Sequence, residues 1–445
     1  MGGGRVPVKS RYLYYQANSI WLPIDLVEWL SDASSNFAAT MGQQIHLPYL
    51  RRMNQRSLFL QHVAQTSLAP LALEIVRADG CKLTDSNDKE YIDLVGGISV
   101  ANTGHRHPKV LEAIKQQLEA YLHIMVYGEF VETPQVQYAK FLTAHLPESL
   151  NSVYFTNSGA EAVEGAMKLA KRVTNRTKII AAKNAYHGST QGALSVIGDE
   201  YWRNAYRPLL PDVYHFDYNA YDWLNEINTQ TACVILETVQ GEAGIVAPKK
   251  NWLQAVRERC TEAGALLILD EIQAGFGRTG KLWGFENFDV VPDVLLLGKA
   301  LGGGMPLGAF IANRHLMIQL ADNPVLGHIT TFGGHPVCCA AGLAAMQALL
   351  DEKIIESVKQ KEALFLALLK HKSIKTIRSF GLWMAVEFDD FETNKRIIDV
   401  IIANRPTGVL SDWFLFASNC LRISPPLTIT EEEIKNACEI IVSVL

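Results

Sequence analysis

Along the chain, short and continuously apolar runs alternate with stretches in which apolar residues recur every three or four positions. Runs at 152–155, 178–180, 232–237, 265–269, 293–297 and 308–311 are too short for helices, and several are too uniformly apolar for strands with one wet face. Such runs are expected where a parallel sheet is covered on both faces. Between two of them Leu253, Val256, Cys260 and Ala263 share one helical face, and Gly264 stands where a helix would stop. The alternation predicts a layered α/β domain built on a mainly parallel sheet. Beyond about residue 350 the pattern turns to helix, then to a strand at 381–388, then to helix again, which predicts a smaller α+β unit. Residues 1 to about 55 have no clear period, and the first self-consistent unit begins near Leu73.

Composition narrows the class. Of 445 residues 48% are hydrophobic and 9% aromatic, and the 32 Gly and 17 Pro form no low-complexity tract, so the chain is folded and enzyme-sized. With 41 Lys and Arg against 46 Asp and Glu the net charge is −5, which excludes nucleic-acid binding through overall positive charge. The seven cysteines form no C-x-x-C pair, and an odd number cannot all pair internally, so reduced and buried thiols are expected. The apolar stretch at 19–30 is broken by Asp25 and Glu28 and reads as neither signal peptide nor membrane span. Val6 stands where N-myristoylation needs Ser or Thr, and a cytoplasmic protein with no membrane partner is the expectation.

In parallel sheets the loops leaving the carboxyl ends of strands carry the chemistry. The run at 152–155 leads into Thr156-Asn-Ser-Gly-Ala-Glu161, a turn whose free amides suit a phosphate; Ser158 as a simple helix cap explains it equally well. The run at 265–269 ends on Asp270, a carboxylate that suits either a capping or a functional role. The run at 293–297 leads into Gly298-Lys-Ala-Leu-Gly-Gly-Gly304, where poor solvation would lower the Lys299 pKa and suit it to Schiff-base chemistry, although a lone lysine is more often a solvated surface charge. Gly275-Phe-Gly-Arg-Thr-Gly280-Lys281 imitates a nucleotide loop, but no crossover helix follows and Leu282 occupies the place of the magnesium-binding Ser or Thr. His105 and His107 are close, yet Pro108 follows and no further ligand stands at a zinc spacing, so no metal is expected.

Together these features resemble the class III pyridoxal-phosphate (PLP) aminotransferases, in the branch of the acetylornithine, ornithine and 4-aminobutyrate enzymes. The resemblance rests on Leu267-Ile-Leu-Asp-Glu-Ile-Gln-Ala-Gly-Phe-Gly-Arg-Thr-Gly280, with Lys299 following Asp270 by 29 positions. It extends in family order over Gly96-Gly-Ile-Ser-Val-Ala-Asn-Thr-Gly-His-Arg-His-Pro108, Asn157-Ser-Gly-Ala-Glu-Ala162, Ala185-Tyr-His-Gly188, Glu237-Thr-Val-Gln-Gly-Glu-Ala-Gly244, Thr330-Thr-Phe-Gly-Gly-His-Pro336 and Leu421-Arg-Ile-Ser-Pro-Pro-Leu427. It implies a fold type I transferase: a large PLP-binding domain over 111–345 and a smaller α+β domain assembled from 56–110 and 346–445, with 1–55 an extension of unclear role.

By the same resemblance Lys299 is the lysine that links to PLP and shuttles the proton, and Asp270 the carboxylate that keeps the pyridine nitrogen protonated. Tyr186, beside His187, corresponds to the aromatic stacked on the ring, and Gln273 to the side chain near the ring hydroxyl. Ser158, Gly159 and Ala160 correspond to the phosphate grip, and Thr331 to a threonine reaching the phosphate from a second subunit, which implies a homodimer with shared sites. Arg422 corresponds to the arginine that binds a substrate carboxylate in a bidentate pair, and Glu242 to the glutamate that covers it until glutamate or 2-oxoglutarate arrives. The implied reaction is ping-pong transamination between an amino donor and 2-oxoglutarate. An aminomutase or decarboxylase on the same scaffold is the alternative. Two departures bear on the donor: Ser189 stands where the branch carries arginine, and Ile98 where ornithine enzymes carry tyrosine. Omega-amino acids, diamines and acylated diamines such as acetylornithine all stay open, and free ornithine is disfavoured.

Overall fold

Uniformly apolar strands need cover on both faces, and the chain supplies it with helices whose apolar stripes face the sheet. The computed structural model describes residues 55–127 and 130–445 and the backbone of two short strands before them. Those two strands, β1 (Tyr12–Tyr15) and β2 (Ile20–Pro23), pair antiparallel from Tyr12 opposite Pro23 to Tyr15 opposite Ile20. With the helix Gln55–His62 they belong to a first unit, residues 1–72; the second unit is residues 73–445. The remainder of the apolar stretch at 19–30, the chain start and the role of residues 1–55 lie outside the described residues.

The second unit opens with an antiparallel meander, β3 (Ile75–Asp79), β4 (Lys82–Asp85) and β5 (Glu90–Asp93). The seven strands that follow are β6 (Ser152–Thr156), β7 (Lys178–Ala182), β8 (Val213–Phe216), β9 (Thr231–Glu237), β10 (Leu266–Asp270), β11 (Val294–Leu297) and β12 (Gly308–Ala312). They form one sheet in the order β6-β12-β11-β10-β9-β7-β8, parallel except where β12 runs against β11 and β6. Every residue of β7, β9, β11 and β12 is buried, which is why these strands carry no polar alternation. The helix Lys250–Ala263 buries Leu253, Val256, Cys260 and Ala263, as their spacing requires, and adds Trp252. Each large apolar side chain among them contributes roughly 1.5–3 kcal/mol. Gly264 ends that helix at φ +65°, a left-handed cap that glycine adopts without Cβ strain.

Three local expectations shift. The strand expected over 381–388 shortens to Met384–Glu387, because Gly381 turns at φ +74° against the backbone of Arg278 and Thr279. The strand β8 was not foreseen: it lies at the sheet edge, where Tyr214 is exposed and the apolar signal is weak. The late part of the chain carries two sheets rather than one strand between helices. With β13 (Thr376–Ser379), β14 (Met384–Glu387), β15 (Gly408–Leu410), β16 (Trp413–Phe414) and β17 (Ala417–Ile423), the orders are β13-β14-β17-β16 and β15-β5-β4-β3. In the second of these β15 lies parallel to β5, which joins residues 408–410 to residues 90–93.

The nucleotide-loop imitation is a strut. Arg278, fully buried, donates to the carbonyls of Leu382 and Pro425 and to Asn102 Oδ1 at 2.8, 2.7 and 2.6 Å, and burial lowers its pKa to about 9. His105 and His107 pair separately with Asp93 and Glu352. Among the described residues no group of three His, Cys, Asp or Glu is arranged to hold a metal, and no helix is long and apolar enough to cross a membrane. All seven cysteines are buried and free.

Candidate active site

The carboxyl ends of the strands converge on a cavity of about 210 Å3, lined among others by Gly159, Tyr186, His187, Asp270, Gln273 and Lys299. The helix Gly159–Thr174 begins on one wall. Ser158 takes extended backbone angles and its hydroxyl accepts the Glu161 amide at 3.2 Å, so this oxygen caps the helix. The Gly159 and Ala160 amides lie in the first turn, where N–H groups have no intrahelical acceptor, and both residues line the cavity. Their position at the positive end of the helix dipole suits an anion. A Cβ at Gly159 would stand 2.7 Å from Ile272 Cδ1, and one at Gly298 would stand 3.4 Å from Gly159 Cα. The two glycines therefore let the Lys299 turn approach the helix start.

Asp270 closes β10 and is 5% exposed. Its Oδ1 accepts the Ile272 amide at 2.9 Å, and its Oδ2 lies 2.7 Å from His187 Nδ1. A carboxylate accepts only, so this contact fixes the proton on Nδ1 and leaves Nε2, buried and without a partner among the described residues. The parallel register sets Glu237, the end of β9, beside Asp270. Glu237 accepts the Tyr186 amide at 3.0 Å and the Gly241 amide at 2.9 Å. Burial pushes its pKa up to about 7; Asp270 adds to this, while His187 and the two amides oppose it. Glu237 lies inside a family motif, and a carboxylate closing the apolar run 232–236 is a signal readable in the sequence.

Lys299 follows β11 at φ +51°, a left-handed conformation uncommon outside glycine. Its Nζ donates to Gln273 Oε1 at 3.2 Å, and Gln273 Nε2 is buried without a partner among the described residues. Burial lowers the Lys299 pKa, against the opposing pull of Glu242 and Asp270; Arg422 lowers it further and Glu237 raises it. Tyr186 Oη lies 3.2 Å from Ser189 Oγ, and Ser189 is an exposed part of the cavity wall.

Arg422 and Glu242 do not line this cavity but act on Lys299 electrostatically. The guanidinium, 2% exposed, donates through its two terminal nitrogens to both Glu242 oxygens at 3.0 and 2.9 Å. Burial would raise the Glu242 pKa, but the charge and hydrogen bonds of Arg422 outweigh it and the shift is downward. Asp412, absent from the sequence-based candidates, accepts from Arg422 Nε at 2.6 Å. Ile98 also lies outside the cavity lining and is held at φ +62°, a strained conformation for a β-branched residue. Thr331 is exposed and lines a separate surface cavity with Thr156, Asn157 and Glu161.

The residues present fit PLP. The cavity offers two helix-start amides for a phosphate, an amine of lowered pKa, a buried carboxylate for a pyridinium, and unpartnered nitrogens on Gln273 and His187.

Residues 63–445 match the model of the family Aminotransferase class-III. The chain is 39% identical over 381 residues to the acetylornithine aminotransferase of Methanopyrus kandleri, covering 84% of this chain and 94% of that protein. The ornithine aminotransferase of Toxoplasma gondii, solved with partial occupancy of PLP at its active site, superposes with a TM-score of 0.81 at 31% identity, covering 88% of this chain and 94% of that one. The acetylornithine aminotransferase of Elizabethkingia anophelis superposes with a TM-score of 0.76 at 32% identity, covering 87% and 96%. These relatives are aminotransferases, which favours transamination over the aminomutase and decarboxylase alternatives. The chain therefore belongs to the class III aminotransferases, fold type I enzymes that work with pyridoxal phosphate.

Proposed function

We propose that the enzyme moves an amino group from an amine or amino-acid donor to 2-oxoglutarate in a ping-pong sequence, with glutamate and 2-oxoglutarate as one substrate pair. The observation that carries this reading is the buried Arg422–Glu242 fork, within electrostatic range of Lys299. A guanidinium already bidentate to one carboxylate can exchange it for a substrate carboxylate at small cost in desolvation.

Bound PLP supplies an electrophilic carbon for the substrate amine and a ring that withdraws electron density from the substrate Cα. Gly159 and Ala160 hold the phosphate through their amides, with Ser158 alongside. Asp270 would hold a proton on the cofactor's ring nitrogen, and His187 orients that carboxylate for it. Tyr186 would pack against the bound cofactor, and the unpartnered Gln273 Nε2 would donate to it. Because burial lowers the Lys299 pKa, its Nζ is neutral at lower pH than a solvated lysine. Lys299 would take the proton from the substrate Cα as general base and would return it as general acid. The apolar side chains of Val239 and Ile272 exclude water from the wall they form.

Ser189 supplies a hydroxyl where a second substrate carboxylate would need a cation. Glutamate and 2-oxoglutarate would place one carboxylate on Arg422 and meet the neutral Ser189 hydroxyl with the other, and omega-amino acids, diamines and acylated diamines of the acetylornithine type stay open as the second donor. Free ornithine is disfavoured by Ile98. A homodimer completes the site, with Thr331, outside the cavity of its own chain, serving the second copy. Exposed Phe130, Val131, Ile329 and Phe332 support such an interface. The buried, unpaired cysteines support a reducing compartment such as the cytoplasm.

The test is a half-reaction screen in which the holoenzyme is mixed with single amines and loss of the bound-cofactor absorbance is followed. Glutamate should react, and so should one of the donor classes above. Reaction of other amines with none from glutamate would remove the assigned acceptor.

A further inference from the structure

Arg422 carries a second carboxylate besides Glu242. Asp412 Oδ1 accepts from Nε at 2.6 Å, while Glu242 occupies the two terminal nitrogens. The same short segment holds Arg422 three more times. The Asp412 carbonyl accepts the Arg422 amide at 2.9 Å, the Trp413 carbonyl accepts from a terminal nitrogen at 3.0 Å, and the Phe414 ring centroid lies 4.2 Å from the guanidinium carbon. The register between β16 and β17 slips between Trp413 and Phe414, an irregularity of the kind that re-aims side chains beside functional sites. The two carboxylates differ in setting: the Asp412 side chain is 34% exposed, that of Glu242 only 6%. Glu242 is also held by the Leu415 amide at 3.0 Å.

We infer that Asp412 is a positioning residue for carboxylate recognition: it holds the Nε edge of Arg422 so that both terminal nitrogens stay aligned while Glu242 gives way to a substrate carboxylate. The inference rests on the carboxylate role proposed above for Arg422. Exchange of Glu242 for a substrate carboxylate leaves a like charge in a like place, so the repulsion from Asp412 cancels to first order. What remains is orientation, because a guanidinium freed at Nε would rotate and lose the parallel pair of bonds on which bidentate recognition depends.

The experiment uses the holoenzyme with glutamate as the probe. Asp412→Ala should raise the KM for glutamate about tenfold, with kcat within about twofold and the bound-cofactor absorbance unchanged. Asp412→Asn, which keeps the acceptor oxygen without its charge, should recover most of that loss. In an Arg422→Lys background, which has no Nε edge, Asp412→Ala should add nothing. An unchanged KM in Asp412→Ala, or effects that add fully in the Arg422→Lys background, would overturn the role of Asp412 alone. An unchanged KM in Arg422→Lys itself would instead remove the carboxylate role of Arg422, and that of Asp412 with it.

Discussion

Arg422→Met separates what the guanidinium does for stability from what it does for substrate. Methionine keeps an unbranched apolar stem in a position that is 2% exposed and deletes the charge. Glu242, 5% exposed, is then left with the Leu415 amide at 3.0 Å as its remaining donor. Stranding a buried carboxylate in this way costs roughly 3–5 kcal/mol. Asp412 has a third of its side chain exposed and burial raises its pKa, so it can take up water or a proton and adds less than Glu242. Adding Glu242→Gln removes the stranded charge and should return stability to within about 1–2 kcal/mol of the parent. Substrate binding behaves differently. Two charge-assisted bonds to a substrate carboxylate are worth roughly 1.5–3 kcal/mol each, but Glu242 must first be displaced from the same nitrogens. A net loss of about 2–3 kcal/mol, or roughly 30–150-fold in KM for glutamate, is expected in the single and the double variant alike. Denaturant unfolding reads the first quantity and steady-state kinetics the second, with bound-cofactor absorbance as the control. A double variant that regained the parent KM, or a single variant that lost stability with an unchanged KM, would refute the reasoning.

Lys299→Ala should abolish turnover while the protein still retains PLP noncovalently through its phosphate; measurable transamination in that variant would show that another group moves the proton. Glu237 has its pKa raised from 4.5 to about 7. Between those values the folded state holds a proton that the unfolded chain has lost, so the contribution of Glu237 is full below about pH 4.5 and is lost as pH rises towards 7, by roughly 3 kcal/mol in all. Glu271, likewise pushed up to about 7 by burial, adds a slope of the same sign. Glu237→Gln should therefore flatten the fall in unfolding free energy between about pH 5 and 7 without removing it. It should also cost roughly 1–3 kcal/mol, since its amide nitrogen would face the Tyr186 or the Gly241 amide. A slope equal to that of the parent would show that Glu237 titrates normally.

The parallel strands were legible because burial on both faces leaves no polar alternation to dilute the signal, as β9 and β11 show. The strand β8, half wet at the sheet edge, was not, and neither was the turn at Gly381 that shortens β14, since it is set by contact with Arg278 and Thr279 a hundred positions earlier. Within the site, Asp270 and Lys299 stood out because one ends an apolar strand and the other follows one, each at a loop of unusual composition. Arg278 was read only as part of a glycine-rich imitation, although its guanidinium ties Asn102, Leu382 and Pro425 together.

By itself the sequence determined the buried strands of the large sheet and which family the chain joins, because both are written in local spacing and in motifs of a few consecutive residues. The tertiary structure decided the partnerships: His187 on Asp270 across 83 positions, Glu242 on Arg422 across 180, and Asp412 on the Nε of the same guanidinium. Those contacts arise where strand ends and a bulged hairpin meet. Their energies depend on burial and on distances of about 3 Å, and neither is encoded at any single position.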